Sequence, residues 1–308
     1  MNHLDLVLSP DIVAATVRSL IPLLLLGIGG LLCHQAGVFN VALEGLLLTG
    51  CFAAVTGSAL SGSATVGVLV AVAASGGVAY LLAVGSVSRH GDPLILGTAI
   101  NLLVSGTTAF GLVATFHVRG TFTRPDLARL PHWTAPHDIP LIGPTLTVSS
   151  PLGLLTLVAI PAVYVFLRHT VIGTRLRGVG AHADAAQSLG IRPDRYQIAA
   201  LLASGLLCGL AGAELSLGSV ALFTEDMSAG RGWIIVLILL LTGGRPVAVL
   251  AALTVYAYSQ ALGFRLQTVG LPMQFSDAAP YLTTLGVLIV VGVRAKRARL
   301  RHSPELDP

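Results

Sequence analysis

Four side chains with ionisable or amide heads stand inside long apolar runs of this 308-residue chain: Asn40 and Glu44 in QAGVFNVALEG, Asn101 in AINLLVSG, and Glu214 in AGAELSLGS. A polar head in hydrocarbon must either face a water-filled path or be satisfied by protein. Asn40 and Glu44 are four apart and share a face if that stretch is helical. Gly37 and Gly45 beside them favour a broken or closely packed helix. The pair therefore either lines a path for a polar solute, or satisfies backbone groups at a break or pairs with an Arg at a helix end. Asn101 divides the same way, between lining that path and bonding one helix to another. Glu214 falls near the outer end of its run and reads as a boundary position beside water. Arg231 lies between Gly230 and Gly232 at the end of a polar crossing, FTEDMSAGRG (223–232). This crossing is either an external gate or contact surface, or an ordinary loop leading to an interfacial Trp233.

The chemistry that the residues do not offer is equally informative. The nine His form no HExxH or HxH pair, and GxSxG and GxxxxGK[ST] are both missing. No catalytic nucleophile, metal centre or phosphate cradle is expected in this chain. Cys33, Cys51 and Cys208 stand singly in apolar runs and read as small core or lipid-facing residues.

One segment concentrates charge. GTRLRGVGAHADAAQSLGIRPDRYQ (173–197) carries Arg175, Arg177, Arg192 and Arg195 between two hydrophobic runs. Each Arg or Asp at bilayer centre costs about 2.5–3.5 kcal/mol even on the lenient insertion scale. The segment must therefore lie in water on one face of a membrane, and it is long enough for a short helix as well as a turn. Such a helix is suited to docking a soluble partner.

The elements that position these residues follow from composition. With 54% hydrophobic and only 10% charged residues, and a mean hydropathy of +0.83, the chain is not a soluble globular domain. Its runs are continuous rather than alternating, which favours helices over a barrel. Spans are expected near 13–33, 38–57, 64–88, 94–117, 150–167, 198–221, 231–249, 247–266 and 280–293. They form one all-α polytopic domain (1–308) of about 8–10 transmembrane helices, some broken or re-entrant. Gly243-Gly244-Arg245-Pro246 is either a tight turn or a break within one hydrophobic hairpin. The 35 Gly suit close helix packing in lipid.

Seventeen of the eighteen basic residues are Arg, gathered in loops and in a tail (294–308) with five basic residues in its first eight. That pattern is positive-inside sorting rather than a nucleic-acid footprint, and it makes the C-terminus cytoplasmic. Counting back puts the 168–197 loop on the same side and 119–149 outside. The N-terminus lacks a basic leader and a small-residue cleavage site, so no signal peptide is expected.

Three stretches carry a family resemblance: AGVFNVALEGLLLTGCF (36–52), GTRLRGVGAHADAAQSLGI (173–191) and FTEDMSAGRGWI (223–234). The chain resembles a permease of bacterial ATP-binding-cassette (ABC) importers in the ribose/branched-chain-amino-acid permease superfamily. The third stretch points to the nucleoside-type branch that works with a basic-membrane-protein-type lipoprotein. The resemblance implies an ABC importer permease fold without its own ATPase site. It implies a bacterial plasma-membrane location and nucleosides or related sugar-containing polar solutes as cargo. The implied partners are an ABC ATPase subunit that binds the ATP, a second homologous permease in a heterodimer, and a substrate-binding lipoprotein. The basic loop then becomes the ATPase-coupling segment. Asp184, Ala185, Ala186 and Gly190 are similar to the EAA-x-x-x-G pattern, and Arg175 and Arg177 supply charge. The sequence departs at Ala181-His182, where relatives usually show Glu-Asn. Asn40, Glu44, Asn101 and Arg231 become candidates for the translocation pathway or gate. A self-sufficient ion-coupled transporter is the alternative, and it calls for inverted repeats and deep carboxylates. A membrane-embedded enzyme is the second alternative, and it calls for a catalytic cluster.

Overall fold

The computed structural model describes residues 10–131 and 150–268, together with Gly286. The expected span at 280–293 (apart from Gly286), the basic tail and residues 132–149 of the 119–149 connection lie outside the described residues. Among the described residues ten α-helices follow in chain order: α1 Pro10–Gln35, α2 Leu43–Ser61, α3 Ala64–Ala83, α4 Pro93–Phe116, α5 Pro151–His169, α6 Val171–Ala181, α7 Ala183–Ser188, α8 Pro193–Ala213, α9 Arg231–Thr242 and α10 Pro246–Thr268. Seven of the described helices are long and apolar enough to cross a membrane, namely all but α6, α7 and α9.

Local chemistry places several boundaries. α4 opens with Asp92 as N-cap, its carboxylate accepting from the amides of Leu94 (2.7 Å) and Ile95 (3.2 Å), and with Pro93 in the first turn. α5 repeats this arrangement with Ser150 and Pro151. In both, the cap satisfies amides that a helix start leaves unpaired, and Pro has none to lose.

α8 is the central post. It packs on α1, α2 and α3, while α10 closes against α1. Glycines allow this closeness. A Cβ on Gly212 would lie 2.5 Å from the Cys51 amide nitrogen of α2, and one on Gly209 would lie 2.7 Å from the Ala71 carbonyl oxygen of α3. In lipid, where apolar side chains gain little by leaving the solvent, such backbone approach is a main source of helix association. Cys33, Cys51 and Cys208 are buried in this packing with free thiols. α4 and α5 turn broad apolar faces outward, with Leu102 and Phe110 well exposed.

Three sequence expectations change. The span read as 38–57 begins as a helix only at Leu43, because the chain from Ala36 to Ala42 is not helical. The span read as 231–249 stops at Thr242. At 12 residues α9 is about 18 Å long, too short to cross a core of about 30 Å. Gly243 and Gly244 both adopt positive φ (59° and 63°), which makes the 243–246 stretch a tight turn. An element that the sequence did not announce also appears: β1 (Thr121–Thr123) pairs antiparallel with β2 (Leu222–Thr224), Phe122 facing Phe223. Phe122 stacks on Phe116, and Phe223 meets Phe52 edge-on at 5.3 Å. α3 and α8 each run on into a π-helical segment, Val84–Ser88 and Glu214–Val220.

Candidate functional site

The break between α1 and α2 is where the polar residues converge. Gly37 turns the chain with φ of +74°, and the segment up to Ala42 has no helical ladder to satisfy its amides and carbonyls. Buried backbone groups need partners, and here side chains supply them. The Asn40 Oδ1 accepts from the Ala42 amide (3.0 Å), while its Nδ2 donates to Ser204 Oγ of α8 (3.0 Å). Asn101 of α4 works from the opposite side. Its Oδ1 accepts from the Gly45 amide (2.8 Å) and its Nδ2 donates to the Val41 carbonyl (2.9 Å). Asn40 and Glu44 thus share no helix face, since only Glu44 stands on α2.

Glu44 is the hub. Its Oε1 accepts from the Gly230 amide at 2.7 Å and its Oε2 from the Gly232 amide at 2.6 Å. These amides flank the start of α9, so the carboxylate sits on the positive end of a helix, a natural place for an anion. Arg231, between them, turns back to the carbonyls of Met227 (3.0 Å) and Ser228 (3.2 Å) rather than pairing with Glu44. An exposed ion pair joins Arg124 to Asp126 (3.1 Å).

Beside this clamp is a recess of about 480 Å³, lined by Glu44, Asn101, Ser105, Asp226, Ser228 and Trp233 among others. The volume suits a small molecule. Ser105 Oγ donates to Asp226 Oδ1 (2.9 Å) across the recess. Of the four expected pathway residues, Glu44 and Asn101 stand on this wall. Asn40 is buried behind it, and Arg231 is not part of the lining. Glu214 corrects its boundary reading: it is only 4% exposed and accepts a short hydrogen bond from Ser150 Oγ.

The second site is the basic segment. Thr170 caps α6 by accepting from the Gly173 amide (3.0 Å). α7 closes at Gly190, whose φ is +79°. The Gly190 amide donates to the Gln187 carbonyl (2.9 Å) and the Ile191 amide to that of Ala186 (3.1 Å). These two bonds form a Schellman stop. Ala186 packs inward, whereas Asp184 and Ala185 are exposed. Arg175, with Arg192 and Arg195, rims an open groove of about 460 Å³ beside Leu189, which is 81% exposed. Arg177 differs from Arg175: it is half-buried, and its Nε is buried without a hydrogen-bond partner. His182 is the N-cap residue of α7 and makes no side-chain cap bond.

The model of one protein family, described as branched-chain amino acid transport system / permease component, matches residues 12–291. The chain belongs to that family. This permease component is similar to a putative glucose ABC transporter permease of Haloferax volcanii, 28% identical with 93% of each chain covered. It is also similar to a nucleoside ABC transporter permease of Lactococcus lactis, 30% identical over 94% of this chain and 92% of the relative. A guanosine ABC transporter permease of Bacillus subtilis is 29% identical over 89% of each chain. No solved structure is a significant match. Family membership and the seven apolar helices make the permease a multi-pass membrane protein.

Sequence reasoning missed several working groups of the permease. Gly230 and Gly232 act through amides, which no residue type reveals. Ser204 and Ser105 resemble any helix serine. Asp226 gave a signal, as an acidic residue in the polar crossing, but its partner lies on α4, far away in sequence.

Proposed function

We propose that the chain is the transmembrane permease subunit of an ABC importer, carrying nucleosides or related sugar-containing polar solutes across the plasma membrane. A separate ATPase subunit supplies the energy. What carries this reading is the Arg-rich α6–α7 segment, held between two spans and closed by Gly190, in a chain matched to a permease component over residues 12–291. A conformational equilibrium is driven only by differential affinity for its two states. A soluble ATPase that grips α6–α7 differently with and without ATP supplies that difference.

In this reading Arg175, Asp184, Ala185, Ala186 and Gly190 form the ATPase seat, with Arg177 anchoring α6 from behind. The segment and the C-terminal tail face the cytoplasm. The recess beside Glu44 and Asn101 belongs to the solute path. Its walls mix polar groups with Leu48 and Leu102, a surface that passes a polar solute without holding it tightly. A second homologous permease and an external binding lipoprotein complete the importer. The names of the relatives support sugar-bearing cargo, both nucleoside and glucose permeases being similar to this chain.

The test is to express the tagged chain with its candidate ATPase, partner permease and lipoprotein, and to isolate it in detergent. The ATPase and partner permease should co-purify, and the reconstituted complex should take up labelled guanosine when ATP is present. Failure of the ATPase to associate under any nucleotide condition overturns the proposal.

A further inference from the structure

The basic segment and the Glu44 clamp are joined by bare backbone. Near its end, α6 lays Gly180 directly on the break after α1. A Cβ on Gly180 would fall 2.1 Å from the Gln35 carbonyl oxygen and 2.9 Å from the Gly37 amide nitrogen. The contact is closed from the other side too, since a Cβ on Gly37 would lie 2.9 Å from the Gly180 Cα. Gln35 also ties this corner to the α9–α10 turn, its Nε2 donating to the Gly244 carbonyl at 2.6 Å. Leu176 and Val179 anchor the same face of α6 in the core.

We infer that the Gly37–Gly180 contact is the joint through which movement of α6–α7 reaches the solute path, an inference that rests on the importer reading above. Close-packed backbones transmit displacement because no flexible side chain lies between them to absorb it. From Gly37 the route is short. The break carries Asn40, held to Ser204 on α8, and ends at Glu44, held to Gly230 and Gly232 at the start of α9. A shift of α6 therefore shifts the segment that leads into Glu44 on the recess wall. α9, too short to span and bounded by the Gly243-Gly244 turn, is the element that this shift reaches through Glu44.

The contrast of two glycines on α6 tests this. A Cβ on Gly178 meets nothing within 4 Å, so Gly178→Ala matches Gly180→Ala in helix propensity while sparing the joint. Each variant is assembled into the full complex, and ATPase co-purification, ATP hydrolysis and labelled guanosine uptake are measured in proteoliposomes. Gly180→Ala is expected to keep the ATPase bound yet lower solute moved per ATP on the order of tenfold, with Gly178→Ala near wild type. An unchanged ratio in Gly180→Ala overturns the joint and leaves the importer reading standing. Absence of ATPase from the wild-type complex overturns both. Should Gly180→Ala fail to accumulate, hydrogen exchange in the wild-type complex decides: ATP-dependent changes at residues 36–44 and at Gly230 and Gly232 support the joint, and their absence overturns it.

Discussion

Glu44 and Gly232 hold each other from two sides. The Glu44 carboxylate accepts the Gly232 amide at 2.6 Å, and the absent side chain of Gly232 lets α9 rest on the Glu44 backbone, where a Cβ would lie 2.3 Å from the amide nitrogen. A carboxylate and a glycine, 188 positions apart, thus join α2 to α9. The nearest Glu44 contact to a Gly232 Cβ is backbone, so relief requires moving a helix. Gly232→Ala is therefore expected to lower the thermal midpoint of the detergent-purified protein by several degrees, with Gly106→Ala, where a Cβ meets nothing, unchanged.

Glu44→Gln separates charge from shape. The carboxylate offers an oxygen to each of two amides, but a carboxamide must turn its NH₂ toward one of them. Leaving one buried donor unmatched costs about 1–3 kcal/mol. The variant should express yet melt earlier and show reduced uptake. Wild-type melting and uptake together would mean that the clamp is not what holds α9.

At Asn101 the two ends of one amide serve a donor and an acceptor. Asn101→Asp keeps the acceptor for Gly45 but sets a carboxylate oxygen against the Val41 carbonyl. Asn101→Leu removes both bonds and leaves neither side repelled. Thermal melting should rank wild type above both variants. Uptake by Asn101→Asp equal to wild type would count against a role for this amide in shaping the recess.

Gly190→Val addresses the other site. Its φ of +79° costs a β-branched residue about 1–2 kcal/mol or more, and nothing packs where the side chain would go. The strain falls on the α7 stop and spares the core. The expected outcome is an intact, normally melting permease that captures less ATPase in a pull-down. Full ATPase recovery would remove Gly190 from the seat.

The parts of this structure that were readable in advance are those where a residue type acts locally. The long apolar runs mark spans, and the Arg-rich 173–197 stretch marks a polar segment long enough for a short helix. Asn40, Glu44 and Asn101 were legible as polar groups needing partners, and the bonds found at the helix break answer that need. Their partners were hidden because they are backbone amides or serines on distant helices. The pairing of Thr121–Thr123 with Leu222–Thr224 was hidden for the same reason: three-residue strands carry too little periodicity to register. The burial of Glu214 was misjudged because position along a run says nothing of a neighbour such as Ser150 arriving from another helix. α9 looked like a full span because the apolar run continues through Gly243-Gly244 into α10, with only two positive-φ glycines dividing it.

The most direct measurement compares proteoliposomes holding the permease chains alone with proteoliposomes that also hold the ATPase, the binding lipoprotein and ATP. Labelled guanosine should concentrate inside only the second set, and Glu substitutions at Arg175 and Arg177 together should abolish that accumulation. Uphill accumulation by the permease chains without ATPase would contradict the account at its root.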